Sequence, residues 1–495
     1  MMNVLAYDLG GSSFRLAVIN SEKTITHLVQ LPLKIPMGHG GEYEADPSSW
    51  WESFLLACRT LTEKGADLST IKAIVGCGFT RTQVPLNARG DVVHPAITFQ
   101  DSRGSRALAE YLEAASPGLE GRVPNLSPYH PIARLIWLKK RKPDVWAKVT
   151  TILEPKDYIN FKLTGAWATD RISIDASKSF FDAIEGDDRS TDALGISRDI
   201  LPKAVSPFDT VGMVRDDVPS DLSPLVGKPV VCGSTDTWTC VLGSGGLNPG
   251  AAYNISGTSD VFGVISRQRF ACKGLMTVQW GPEQWQLGGP SQGAASRLSW
   301  AVDRYMPGVT IEQAMVEAFN DNTQLPIFLP FLEGERAPFW DADLKGAFLG
   351  ICQFHTGADF VRSVAEGINF LSRLVLKMAE EATREPVSHV CFSGGLSNSA
   401  ILCQLKADCL NRPVFAPKIK ESGLVGSASM AFLTSSSIAD ITAELMKDGS
   451  WYRPNPAMRD FYDERFSIFE DGCSAVAGLS HRISQLNKTL DMTRA

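Results

Sequence analysis

The sequence has little cysteine or histidine and arranges neither for metal or disulfide chemistry. Its ten cysteines include no Cys-x-x-Cys, and the closest pairs, Cys403/Cys409 and Cys232/Cys240, lack the spacing of a structural zinc site. They read as small buried hydrophobes in a reducing compartment. The seven histidines are scattered with no His-x-x-x-His, which excludes the common zinc-hydrolase pattern. No run reaches 18 apolar residues, so no membrane span is expected. Met1 to Ala6 enters an apolar strand without a basic region and a cleavable apolar stretch, and a cytoplasmic location is expected. There is no excess of basic charge: 48 Lys and Arg stand against 55 Asp and Glu, a net charge of −7. That excludes a broad nucleic-acid surface but leaves room for a local anion site. Neither a Gly-x-Gly-x-x-Gly turn nor a P-loop is present.

What is present suits a large α/β protein. Apolar residues make up 44% and charged residues 21%, close to globular averages, and 495 residues predict two or three domains. Short apolar runs at Val4–Tyr7 and Phe14–Asn20, joined by a Gly/Ser turn, predict a β-hairpin. Buried strands are predicted at Ile71–Gly76, Val230–Gly233 and Val390–Ser393. Helical spacing of apolar residues marks Trp50–Lys64, Ile132–Arg141, Asp157–Leu163, Asp359–Ala382 and Ser399–Leu410. Alternating strands and helices predict sheets covered by helix layers.

A turn-rich stretch, Ser244 to Gly250, marks a boundary, and the chain after it repeats its own beginning. Ala6 to Ile19 reads AYDLGGSSFRLAVI and Ala252 to Ile265 reads AYNISGTSDVFGVI, with six of fourteen positions identical. Two β-hairpins share composition, but the position just after a linker favours two pseudo-equivalent domains. The expected division is 1–246, 247–440 and a C-terminal helical extension over 441–495.

Four turns share one design, a strand followed by Gly with Ser or Thr: Asp8–Ser13, Gly233–Asp236, Gly257–Ser259 and Gly394–Asn398. Glycine lets backbone approach closely, and N–H and hydroxyl groups donate to phosphate oxygens. A helix starting after Gly394-Gly395 would add its positive end. Taken singly each reads as a structural turn; together they point to a nucleotide site. Asp8 and Asp236 each end an apolar strand, where a carboxylate either caps a turn or binds Mg2+ and takes a proton. The basic run Lys139 to Lys142 reads as a solvated helix end. Trp50, Trp51, Trp137 and Trp146 read as packing residues rather than a base-stacking platform.

These segments, in this order, resemble the carbohydrate kinases of the FGGY family, in the actin-like ATPase superfamily. Asp8-x-Gly10-x-Ser12-Ser13-x-Arg15 is similar to the family's first phosphate loop, with Gly11 where Thr is usual. Pro95-Ala96-Ile97 with Asp101-Ser102-Arg103 is similar to its substrate-side motif. Trp137-Leu138, Leu163-Thr164-Gly165 and Thr169-Asp170 match the first-domain signature, and Gly233-Ser234-Thr235-Asp236 the second phosphate and catalytic segment. Gly257-Thr258-Ser259, Gly334-Glu335-Arg336-x-Pro338, Glu366-Gly367, Gly394-Gly395 and Gly426-Ser427-Ala428 match the second domain. Gly78 to Gln83 departs from the usual sugar-side segment.

The resemblance implies an α/β fold of two actin-like (ribonuclease H-like) domains, each a mixed sheet with flanking helices, with a cleft between them. It implies ATP as donor and Mg2+ as its partner. Asp236 would be the general base, and Asp8 with Asp236 would hold the metal. Gly10, Ser12, Ser13, Arg15, Gly257, Thr258 and Ser259 would contact phosphates, and Gly394, Gly395 and Asn398 would border the adenosine. Thr80, Arg81, Asp101 and Asp236 would face a small sugar, either a ketose or polyol, or a sugar acid whose carboxylate Arg81 forks onto. Arg103 would face the sugar or pair with Asp101. A non-catalytic member that only binds nucleotide or sugar is one alternative; an actin-like ATPase that moves a protein partner is another, against which stand Leu163-Thr164-Gly165 and Gly334-Glu335-Arg336. The sequence leaves the oligomeric state open, a homodimer included.

Overall fold

The computed structural model describes residues 2–494, except 37, 39, 40, 124, 125, 258, 259, 282, 320–323, 420 and 433–436; beyond 486 it describes the backbone path alone. The chain forms two compact units. The first comprises Met1–Gly243 and Gly423–Ser436; the second comprises Ser244–Ser422 and Ser437–Ala495. The first compact unit thus includes the segment from Gly423.

The first unit is built on six strands: β1 (Asn3–Leu9), β2 (Ser13–Asn20), β3 (Ile25–Pro32), β4 (Ile71–Gly78), β5 (Thr210–Met213) and β6 (Pro229–Thr235). Their order is β5-β6-β4-β1-β2-β3. β1, β4 and β6 run parallel, whereas β2 and β3 fold back antiparallel on one side and β5 on the other. Strands buried on both faces read as continuous apolar runs, as VLAY in β1 and AIV in β4 do. Helix Pro47–Glu63 covers the sheet with Trp50, Phe54, Ala57, Cys58 and Leu61, the spacing of one helical face. Asp46 caps it by accepting from the Ser48 N–H at 2.9 Å, a contact worth about 1 kcal/mol.

The second unit uses seven strands: β7 (Ala252–Ser256), β8 (Asp260–Ser266), β9 (Met276–Gly281), β10 (Gln284–Ser291), β11 (Val390–Ser393), β12 (Val414–Pro417) and β13 (Gly449–Tyr452). Their order is β9-β10-β8-β7-β11-β12-β13. With the edge strand β9 set aside, both order and direction repeat the first unit: an antiparallel hairpin and its neighbour, three parallel strands, and an antiparallel closing strand. The fourteen-residue match lies on the equivalent hairpins β1–β2 and β7–β8. Its shared tyrosine does similar work in each. The Tyr7 ring lies over Gly76 of β4, where a Cβ would come within 2.1 Å of it, and the Tyr253 ring crowds Gly263 of β8.

Helix Gly357–Thr383 fills the centre of the second core and starts at a capping box formed by Thr356 and Asp359. The stretch after residue 440 is not wholly helical. Gly449–Tyr452 pairs with β12, and helix Arg459–Arg494 then lays Tyr462, Phe466, Phe469 and Cys473 into the same core. Among the described residues no helix is long and apolar enough to cross a membrane.

Candidate active site

The adjoining ends of β1, β4 and β6 carry Asp8, Cys77 and Asp236. Asp8 lies directly opposite Arg15 in the β1–β2 ladder, and Arg15 Nη1 meets its Oδ2 at 3.2 Å. The Cys77 thiol on β4 donates toward the other oxygen at 3.5 Å. Asp8 is almost fully buried.

β6 reaches this place through an irregularity. Val231 pairs with Val75 but Ser234 pairs with Cys77, so three steps on β6 match two on β4. Gly233 absorbs the extra residue at φ 71°, in the left-handed region that glycine occupies without strain. A Cβ there would sit 1.8 Å from the Gly76 carbonyl oxygen. The strand then turns into helix Asp236–Gly243. The half-buried Asp236 carboxylate accepts from the Thr237 N–H at 2.6 Å and from the Thr237 hydroxyl at 3.2 Å. Burial, and secondly the negative charge of Asp8, push its pKa up to about 6.

The turn between β1 and β2 is closed by the Gly10 N–H on the Ser13 carbonyl at 2.9 Å. Gly11 and Ser12 are exposed, and a Cβ at Gly11 would meet nothing within 4 Å. Gly423, where the chain re-enters the first unit, packs on the same group: a Cβ there would lie 3.3 Å from Asp8 Oδ2 and from Cys240 Sγ.

Thr80 and Arg81 meet on one carboxylate that sequence reading missed. Glu154 accepts from the Arg81 N–H at 3.1 Å and from the Thr80 hydroxyl at 3.3 Å. Burial drives Glu154 well above the carboxylate range. Arg81 stands at φ 57°, rare for a side chain of its size, and is gripped from both sides. Glu154 holds its N–H, and the fully buried Arg134 donates through Nη2 to its carbonyl. Arg134 also reaches Gln83 Oε1 at 3.4 Å and the Tyr129 carbonyl at 3.0 Å. The Arg81 guanidinium is half-buried, feels the charges of Glu154 and Asp175, and hydrogen-bonds no described residue.

Asp101 lies near enough to this cluster for its charge to act on Arg134. It has no exposed surface, and it accepts from the Tyr43 N–H at 3.0 Å, the Arg103 N–H at 3.0 Å and Arg103 Nε at 2.9 Å. Arg103 continues to Glu44 at 2.6 Å and Glu42 at 3.3 Å, and stacks 4.0 Å over Trp137. What the structure shows of this pair is Asp101 orienting Arg103. Lys139 also departs from a purely solvated helix end. It donates to the Leu194 and Gly195 carbonyls at the end of helix Asp188–Leu194, which closes at Gly195 in the left-handed conformation.

In the second unit Gly394 follows β11 at φ 93°, with room for no Cβ: one would lie 2.3 Å from the Ser256 carbonyl oxygen at the end of β7. The two glycine turns therefore adjoin within that unit. Gly395 and Asn398 are exposed. No α-helix starts directly after Gly394-Gly395. A 3-10 turn, Gly395–Asn398, intervenes, and the helix begins at Ala400 with Ser399 as its cap. The expected dipole end is thus displaced from the glycines. The Gly257 carbonyl accepts from the Ala295 N–H at 3.2 Å, and Thr258 and Ser259 lie outside the described residues. Among the described residues, no group of three or more His, Cys, Asp or Glu is arranged to hold a metal ion.

Comparison with known proteins gives this arrangement its class. The model of the FGGY family of carbohydrate kinases, N-terminal domain, matches residues 3–243, and the model of its C-terminal domain matches 252–435. A xylulose kinase of Lactococcus lactis is 24% identical over 98% of this chain and 99% of its own. The structure of a ligand-bound xylulose kinase from Lactobacillus acidophilus aligns over 98% of this chain and all of its own, with TM-score 0.84 at 21% identity. A gluconate kinase from the same organism aligns over 97% and 99%, again at 0.84 and 21%. The chain belongs to the FGGY family. It is a carbohydrate kinase, a phosphotransferase with an alcohol group as acceptor.

Proposed function

We propose that the enzyme transfers the γ-phosphoryl group of ATP to a hydroxyl of a small ketose or polyol, with Asp236 as general base. The observation that carries this reading is the pair of strand-end carboxylates, one of which Asp8 and burial hold near pKa 6. A base in that range is ionised at neutral pH yet accepts a proton readily as the acceptor oxygen gives it up. That oxygen forms its bond to the γ-phosphorus while the bond to the bridging oxygen of ADP breaks, and the proton passes to Asp236. Alignment and charge stabilisation supply most of the acceleration in such transfers.

Gly10, Ser12, Ser13 and Arg15 are proposed to face the phosphates from the β1–β2 turn, with Gly257, Thr258 and Ser259 from the β7–β8 turn. Gly394, Gly395 and Asn398 would border the nucleoside. Asp8 and Asp236, near enough that the Asp8 charge raises the Asp236 pKa, would hold a divalent cation. Mg2+ bound there would neutralise phosphate charge.

A specific observation favours a second reading, a sugar acid. The Arg81 guanidinium keeps all its donors free of described partners while its backbone is fixed by Glu154 and Arg134. A preset fork of that kind suits a carboxylate. ADP release with Mg·ATP across ketoses, polyols and aldonates tests both. A strong ketose or polyol response supports the first and an aldonate response the second. Asp236→Ala should remove transfer while ATP affinity stays within a few-fold; an unchanged rate would reject Asp236 as base.

A further inference from the structure

We propose that Lys156 and Asp170 are positioning residues for Asp236, acting through Ser234. The proposal rests on the reading of Asp236 as the base. Lys156, Asp157, Asp170 and Ser234 are each 1% exposed or less. Lys156 Nζ meets Asp157 Oδ1 and lies 3.0 Å from Asp170 Oδ2. Asp170 Oδ1 accepts from the Ile172 N–H at 3.0 Å, the Ser173 N–H at 3.1 Å and the Ser234 hydroxyl at 2.9 Å. The Ser173 hydroxyl donates to Oδ2. Asp170 thus has both oxygens engaged, and one of its donors stands two residues before Asp236.

The same helix, Pro155–Thr164, also ties in the strand of the partner carboxylate. The Tyr7 hydroxyl, one residue before Asp8, bonds the Lys156 carbonyl at 3.1 Å and Asn160 Oδ1 at 2.8 Å. Asn160 Nδ2 donates to the Cys232 carbonyl at 2.9 Å, on the bulged part of β6. A bulge leaves its residues without the regular ladder, so their direction depends on outside contacts. Here the Cys232 and Gly233 N–H groups donate to the Asp209 and Pro207 carbonyls at 2.9 and 3.0 Å, Asn160 holds the Cys232 carbonyl, and Asp170 holds the Ser234 hydroxyl.

A salt bridge serving only stability would be an expensive choice for this location, since desolvating three charges offsets most of their attraction. Its use lies in directing the strand end. Ser234 and Thr235 keep their pairing with Cys77 and Gly78 of β4, so losing the Ser234 hydroxyl contact loosens the side-chain hold on the segment that aims the base, and small misplacements of reacting groups cost on the order of 10- to 100-fold in rate.

The test compares Ser234→Ala, Ser234→Thr, Asp170→Asn and Asp236→Ala. Each is assayed with Mg·ATP and whichever acceptor gives the strongest ADP release, alongside thermal melting and ADP binding. Ser234→Ala is expected to lower kcat roughly tenfold or more while both KM values and the ADP affinity stay within about twofold. Ser234→Thr, which keeps the hydroxyl, is expected to recover most of the rate. Asp170→Asn is expected to follow Ser234→Ala; if it does not fold, the serine pair decides. A folded Ser234→Ala enzyme with wild-type kcat, beside an inactive Asp236→Ala, overturns the positioning role and leaves the base standing. Melting temperature, KM and kcat falling together in Ser234→Ala, with no recovery by threonine, reduces the network to a structural one. An active Asp236→Ala removes the base and the proposal together.

Discussion

Asp236 carries two opposed tendencies, and pH separates them. As the base it must be ionised, so kcat/KM for the free enzyme should rise with pH through about 6 and then level off. A profile flat from pH 5 to 8 would contradict that assignment. For stability the sign is reversed. The folded pKa lies above the ordinary carboxylate value, so the charged form is disfavoured in the fold at every pH above about 6. Asp236→Asn should therefore stabilise the protein at pH 8 by on the order of 1–3 kcal/mol, discounted for half-burial, and the gain should vanish by about pH 4. Urea midpoints at the two pH values measure it. Gly11 offers a second residue-scale test. Nothing crowds its Cβ position, so Gly11→Thr should leave stability unchanged and, by adding a hydroxyl to the first turn, lower the KM for ATP. Asp8 and Asp236 were readable because each ends an apolar run at a glycine-containing turn. Glu154, Lys156 and Asp157 were not. Glu-Pro-Lys-Asp has the look of a charged, solvated first helical turn, and the second carboxylate that pairs the buried Lys156 beside Asp157 comes from Asp170, distant in sequence.

Between residue and fold stands the irregular end of β6. A straight strand would continue the β4 register; the extra residue at Gly233 breaks it just before the base. Gly233→Ala meets both a left-handed φ and a backbone oxygen 1.8 Å away, and should destabilise the first unit by more than about 3 kcal/mol. Loss of the cooperative melt together with activity is the expected readout. The amphipathic helices are legible to within three residues at each end, because a buried face imposes its spacing directly on the sequence: Trp50–Lys64 is expected and Pro47–Glu63 found, and Asp359–Ala382 is expected and Gly357–Thr383 found. Elements defined by pairing or by a single turn are not. β13 is short and mostly exposed, so its sequence has no burial pattern to announce a strand. The 3-10 turn after Gly394 depends on the Ser397 hydroxyl bonding the Gly394 carbonyl at 2.8 Å, a contact composition does not reveal.

For the whole molecule, the duplicated hairpin was a small sample of a larger repeat, since strand order and direction agree across both units. What the sequence concealed is how the last helix is anchored. Arg465 donates to the fully buried Glu366 from Nε at 2.9 Å and from Nη2, and to the Leu325 and Pro326 carbonyls at 2.9 and 3.0 Å. Arg465→Met leaves that carboxylate with Arg362 alone, and should cost about 3–5 kcal/mol in denaturant unfolding. The two partners are 99 residues apart and on different helices, so neither helix pattern points to the other.

The returning segment has a bearing on how the protein is made. Gly423 packs on Asp8, and Gly426 is so close to the Thr239 carbonyl that a Cβ there would lie 2.1 Å from it. A ribosome that has delivered residues 1–243 has therefore delivered an unfinished first unit. Its central strands wait, with the seat of helix Ser422–Phe432 open, while most of the second unit is synthesised. At roughly 5–20 residues per second that wait lasts on the order of ten seconds or more, long enough for a chaperone to engage the nascent chain.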